Sequence, residues 1–312
     1  MNFISSLFLF ITTISFWIYG AKGINNCGGN NIVNTIVVNQ QGGNGVFTKV
    51  QDAIDSIQSN NDQWVKIYIN PGIYTEKARL PKDKPCVILE GASIHNTVIT
   101  YDDHLPANPS ATFVFDASNV IVKDITFKNS YNVAKLPRKI KERKMQERQI
   151  VPAVAASVYG DNNTFYRCGF IGYQDTLFDA SGRHYYKECY IEGEVDFIFG
   201  YARSYYEQCI MNAIGRDINL PGFVTAHGRG KPEGDPNGGF VFNRCAIIGT
   251  GNVNLGRAWG PFARVIFHGT YFGSLITPQG WDAWNGKGQE YKITFAEVNC
   301  KGPGRNTNDR VS

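Results

Sequence analysis

Four stretches of the chain repeat one another: TFYRCGFIG (164–172), YYKECYIEG (185–193), YYEQCIMNA (205–213) and FVFNRCAIIG (240–249). Each runs from aromatic residues through two polar ones to a cysteine and on to apolar residues. Cys168, Cys189 and Cys209 are spaced 21 and 20 residues apart, and Cys245 follows 36 later. NVIVKDITFKN (119–129) and RVIFHGTYFGS (264–274) share the shape without the cysteine. Short β-rich pieces punctuated by Gly, Asn and Asp at a period near 21 predict an all-β solenoid, a parallel β-helix whose equivalent positions stack about 4.8 Å apart. The cysteines then form an inward ladder of small apolar side chains. A Cys168–Cys189 disulfide across one rung is also geometrically open.

Ahead of the repeats the chain reads as a cap and early rungs. Strands are expected at TIVV (35–38), VKIYI (65–69), CVILE (86–90) and TVIT (97–100), with NPG (70–72) as a break. Phe47, Val50, Ile54 and Ile57 mark one face of a short N-terminal helix, opened by a Thr48–Gln51 capping box. The apolar run Leu7–Ile18 followed by Ala21-Lys22-Gly23 predicts a secretory signal over 1–23, with an uncleaved anchor as the competing reading. One β-helix domain over 24–312 follows, and the protein is expected to be secreted and monomeric, with no membrane partner.

Seven cysteines in a secreted chain leave at least one unpaired intramolecularly. Asn162-Asn163-Thr164 is a glycosylation sequon, which suits a surface turn. The formal net charge of +4 suits an anionic partner. KLPRKIKERKMQERQ (135–149), with seven basic and two acidic residues, is too polar for a rung and is expected to leave the solenoid as a charged excursion.

The solenoid period gives GYQDTLFD (172–179) its meaning. Asp196, in EGEVDFIFG (192–200), lies 21 residues after Asp175, so the two carboxylates are expected on adjacent rungs, pointing the same way. Carboxylates that close cannot both ionise cheaply, so one pKa should rise and the other fall. Arg257 on a later rung, with Trp259 beside it, is the candidate cation that sharpens the split.

GYQDTLFD, EGEVDFIFG and LGRAWGPFARVIF (255–267) resemble the signature segments of the plant pectin methylesterases, and the resemblance extends through NPGIYTEK (70–77), TAHGR (225–229) and GWDAW (280–284). It implies a right-handed, single-stranded parallel β-helix and an esterase acting on pectin in the cell wall, with no cofactor or metal. It further implies Asp196 as nucleophile, Asp175 as general acid and then base, Arg257 as the partner that keeps Asp196 ionised, and Gln174 as an oxyanion donor. Phe199, Trp259 and Trp281 correspond to aromatics of the sugar cleft, against the competing reading of ordinary packing. A proteinaceous inhibitor is a further partner that the resemblance brings.

Two departures stand out. The family's second oxyanion glutamine falls at Pro152, which offers neither a side-chain amide nor a backbone N–H. Gln149 lies three residues upstream. A weakly active or inactive pectin-binding homologue is therefore the alternative function. Family members usually continue past the point where this sequence stops, at GPGRNTNDRVS, so the C-terminus is read as either truncated or short, and the family's inhibitor-like pro-region is not expected ahead of the first rungs.

Other chemistries find less support. Gly91-Ala92-Ser93-Ile94-His95 is the nearest approach to a serine-esterase elbow and lacks its last glycine. The five histidines form no H-x-H or H-E-x-x-H pair, and His227 is read as structural or at the substrate edge. A retaining glycosidase could use carboxylates on adjacent rungs, but not the Gln-Asp, Val-Asp-Phe and Arg-x-Trp motifs. One basic segment does not make a nucleic-acid site.

Overall fold

The computed structural model describes residues 27–104, 110–132, 150–215, 221–231 and 237–311. The expected signal, the basic segment 135–149 and Gln149 all lie outside these residues. Among the described residues the chain coils through three parallel sheets of 11, 8 and 8 strands: eight rungs each give one strand to each sheet, and Ile32–Val38, Val46–Phe47 and Thr294–Val298 extend the first. This is the expected right-handed parallel β-helix. One rung runs Asn163–Tyr166, Gly169–Ile171, Leu177–Asp179, and the next runs Arg183–Lys187, Tyr190–Gly193, Ile198–Gly200. The following two add Gly222–His227 and Val253–Ala258 to the third sheet.

Stacking of like on like fills the interior. Phe165, Tyr186, Tyr206, Phe242 and Phe267 pair in register along the first sheet, with ring centroids 4.5–4.9 Å apart and nearly parallel planes. Beside them Cys168, Cys189, Cys209 and Cys245 are buried free thiols. The ladder reading therefore holds and the Cys168–Cys189 bridge does not form, since these small side chains stack as apolar filling. The disulfide joins Cys27 to Cys86 instead, tying the chain's first described residue to an early rung across 59 residues.

The residue before each ladder cysteine (Arg167, Glu188, Gln208 and Arg244) adopts a left-handed φ of 49–55°. That corner swings the chain from the first sheet to the second, keeping the long polar side chain in solvent and the thiol inside. The helix is Val50–Asp55, shorter than the apolar spacing suggests, and the capping box does not form. Glu76 caps it from a neighbouring rung, its carboxylate accepting the N–H groups of Val50 and Gln51 at 2.9 and 3.1 Å. Gln51 is drawn away by Arg79, whose N–H donates to its Oε1 at 2.7 Å. Among the described residues no helix is long and apolar enough to cross a membrane.

Candidate active site

Register places the two carboxylates. Pro152, Gln174 and Val195 bridge one another in parallel, and the Asp175 N–H donates to the Val195 carbonyl at 3.0 Å. Asp175 and Asp196 therefore occupy equivalent positions one rung apart, each in a turn before a third-sheet strand. Both turns are left-handed, with φ of 59° and 49°, a region that Asp tolerates better than most residues. The same bridge sets Pro152 beside Gln174 on the preceding rung.

Arg257 comes from two rungs further on. Phe178, Phe199, Ala226, Arg257 and Asp282 form one row across the third sheet. Their inward neighbours include Leu177, Ile198 and Thr225, all fully buried, so the row faces outward. From it Arg257 forks onto Asp196: Nε donates to Oδ1 at 2.8 Å and a terminal nitrogen donates to Oδ2. The guanidinium carbon lies over the Trp284 ring at 4.0 Å and the Phe223 ring at 4.5 Å.

The expected splitting of the pair takes a different form. Burial pushes the Asp175 carboxyl up, and repulsion from ionised Asp196 adds to it, reaching about 7 against the pull of Arg257. Burial also raises Asp196, only 6 % exposed, although the hydrogen bonds and charge of Arg257 oppose it. Neither falls below the usual range. The order of ionisation survives, because the charge of Asp196 acts on Asp175 while Arg257 holds Asp196 directly. The pair thus offers an ionised carboxylate beside a protonated one near neutral pH.

Next to the carboxylates lies an aromatic shelf. Phe199 stacks on Phe178 with centroids 4.6 Å apart, and Trp259 lies 6.1 Å from Phe199 and 4.7 Å from Tyr201. Gly228 lets the last two rings close together, since a Cβ there would sit 2.5 Å from Tyr201 and 2.8 Å from Trp259.

Trp281 departs from the expectation. It pairs with inward Gly256, is 4 % exposed, stacks on Phe295 at 4.3 Å and donates its Nε1 proton to Glu297 at 2.9 Å. It is a core residue, and the other tryptophan of GWDAW, Trp284, faces Arg257. Alternation held the signal: Asp282 pairs with outward Arg257, so its neighbour Trp281 must turn inward. His227 is also internal, its Nδ1 accepting the Arg264 N–H at 3.0 Å while burial pushes its pKa down to about 4. Asn162 is exposed on a turn, its Nδ2 donating to Asn119 at 2.8 Å. Sequence reasoning missed Phe178, Tyr201, Phe223, Ala226 and Trp284, none of which stood out without the register.

Residues 35–312 match the family model described as Pectinesterase. The chain is 45% identical over 273 residues to "Probable pectinesterase 29" of Arabidopsis thaliana, covering 87% of this chain and 79% of that protein. It is 37% identical over 293 residues to "Pectinesterase QRT1" of the same plant, covering 90% and 73%. Among solved structures, the pectin methylesterase from carrot superposes with a TM-score of 0.78 at 27% identity, covering 91% of this chain and 88% of that one.

Proposed function

The chain belongs to the pectinesterase family and is an enzyme that demethylates pectin, and on that premise we propose that it works through Asp196 as a covalent nucleophile. The observation that carries this reading is the Arg257 fork on a buried carboxylate, with a second carboxyl one rung away held protonated up to about pH 7. An Asp196 oxygen attacks the ester carbonyl carbon of a methylated galacturonate. The carbonyl oxygen takes up the negative charge, and the Gln174 amide donates to it. Collapse of the tetrahedral intermediate breaks the bond to the methoxy group, which leaves as methanol with the proton of Asp175. Asp175, now ionised, takes a proton from water as that water attacks the Asp196 anhydride, releasing the free acid and restoring Asp196. Phe199 and Trp259 hold the sugar; Trp281 is too deep to touch it.

Pro152 beside Gln174 favours a second reading, in which one oxyanion donor is missing and the protein is a slow or silent esterase that binds pectin. Methanol release from highly methylated pectin decides between them. Activity lost in Asp196→Ala supports the covalent route, whereas activity retained in that variant overturns it. A silent wild type that still binds pectin selects the second reading. Secretion to the cell wall, a monomeric state and a glycan on Asn162 complete the proposal.

A further inference from the structure

The fork onto Asp196 holds the tip of Arg257, and two rings meet its guanidinium. The guanidinium carbon lies 4.0 Å from the Trp284 ring centroid and 4.5 Å from that of Phe223, both within cation–π range. Trp284 reaches this place through a backbone conformation that bulky residues avoid, with φ of 37°. Such an outlier persists only where its surroundings over-determine it. Here they do. The Trp284 N–H donates to Asp282 Oδ1 at 2.8 Å, and Asp282 is the register partner of Arg257. Asn285 donates its Nδ2 proton to the Trp259 carbonyl at 3.0 Å, and Trp281 anchors the segment in the core.

We propose that Trp284 is a positioning residue for the nucleophile: its indole face sets the plane of Arg257 and, through Arg257, the aim and ionisation of Asp196. The proposal rests on the reading of Asp196 as nucleophile. Loss of the indole lets the guanidinium tilt, and a bidentate fork tolerates tilt poorly. Among the described residues the charged groups facing Asp196 are Arg257 and Asp175, with Asp282 beside Arg257 on the next rung. Weakening Arg257 leaves burial and Asp175 to act on Asp196, so its proton is lost at higher pH.

The test compares full-length wild type with Trp284→Ala, Trp284→Leu and Trp284→Phe by methanol release across pH. In Trp284→Ala and Trp284→Leu, kcat should fall about 10- to 100-fold with KM changed less than about threefold. The acidic limb of kcat/KM should move up by about one pH unit. Trp284→Phe, which keeps an aromatic face, should restore most of both. A raised KM with an unmoved acidic limb overturns the proposal and makes Trp284 a sugar contact. Leucine keeps bulk, so it guards against loss of fold in the alanine variant. Carboxyl-carbon NMR of aspartate-labelled protein, with the Asp196 signal assigned through Asp196→Asn, reads the same shift without turnover. An Asp196 midpoint that stays put in Trp284→Leu overturns the proposal, whereas methanol release that survives Asp196→Ala overturns only the nucleophile reading.

Discussion

Arg257 reaches Asp196 across an intervening rung whose residue in the same outward row is Ala226. Ala226 is only 2 % exposed although it faces outward, so neighbouring side chains cover it. A larger side chain there would stand where the guanidinium passes. Ala226→Leu is therefore expected to lower kcat by about 10²-fold, as misplacing a charged group by about 1 Å can do. Ala226→Ser should stay close to wild type. Methanol release, with thermal denaturation to check the fold, measures both; equal activity in the two variants would show that Arg257 does not need the gap.

The raised carboxyl of Asp175 sets the alkaline side of the pH profile. As general acid it must be protonated, so kcat/KM should decline above about pH 7. The same shift has a stability sign. A folded pKa raised from the ordinary value near 4 to about 7 means that stability is lost as pH rises through that window. Asp175→Asn abolishes the charge, so its melting temperature should gain on the wild type progressively from pH 4 to 7 and then level off. A difference constant across pH would refute the assignment.

Much of this was legible in the sequence because the solenoid repeats its chemistry. The cysteine spacing gave the rung, and the rung placed Asp196 beside Asp175. What the sequence did not disclose depends on exact register or on distant partners. GWDAW looks the same whichever tryptophan faces out; only the Arg257–Asp282 pairing turns Trp281 inward and leaves Trp284 to Arg257. Glu76 caps a helix that begins 26 residues before it, and Cys27 finds Cys86 rather than a ladder cysteine. The left-handed corners at Arg167, Glu188, Gln208 and Arg244 fall on arginine, glutamate and glutamine, none of them a residue that favours this conformation, so no turn residue marks them.

Pro152 makes the second oxyanion position testable in place. It already sits in register beside Gln174, so a glutamine there would start from the correct rung. Pro152→Gln should raise kcat by about 10²-fold, the usual worth of one such donor, with KM nearly unchanged. No gain would mean that another group already supplies the donor, and the kinetics of Gln174→Ala would then show a smaller loss than a sole donor should.

Inside the same rung as Asp175, Asp179 carries a buried charge that the reaction does not use. Its carboxylate meets His184 Nδ1 at 2.5 Å and accepts from the hydroxyls of Tyr206 and Tyr186 at 2.7 and 3.0 Å. His184 Nε2 meets the Gly160 carbonyl at 2.7 Å, so with acceptors at both nitrogens the ring donates twice only as the imidazolium. Burial alone would push Asp179 up, but the charge and hydrogen bond of His184, aided by Tyr206, hold it below the usual range. With a depressed folded value, its stabilising contribution is present above pH 4 and is lost as pH falls through that lower value. His184→Leu alone strands the carboxylate in the core and should destabilise by about 3–5 kcal/mol, and Asp179→Leu alone leaves the imidazolium unpaired. Asp179→Leu combined with His184→Leu removes both charges and should recover most of that loss. Chemical denaturation at neutral pH measures the cycle, and a double variant as unstable as the sum of the singles would show that the two groups are not a pair.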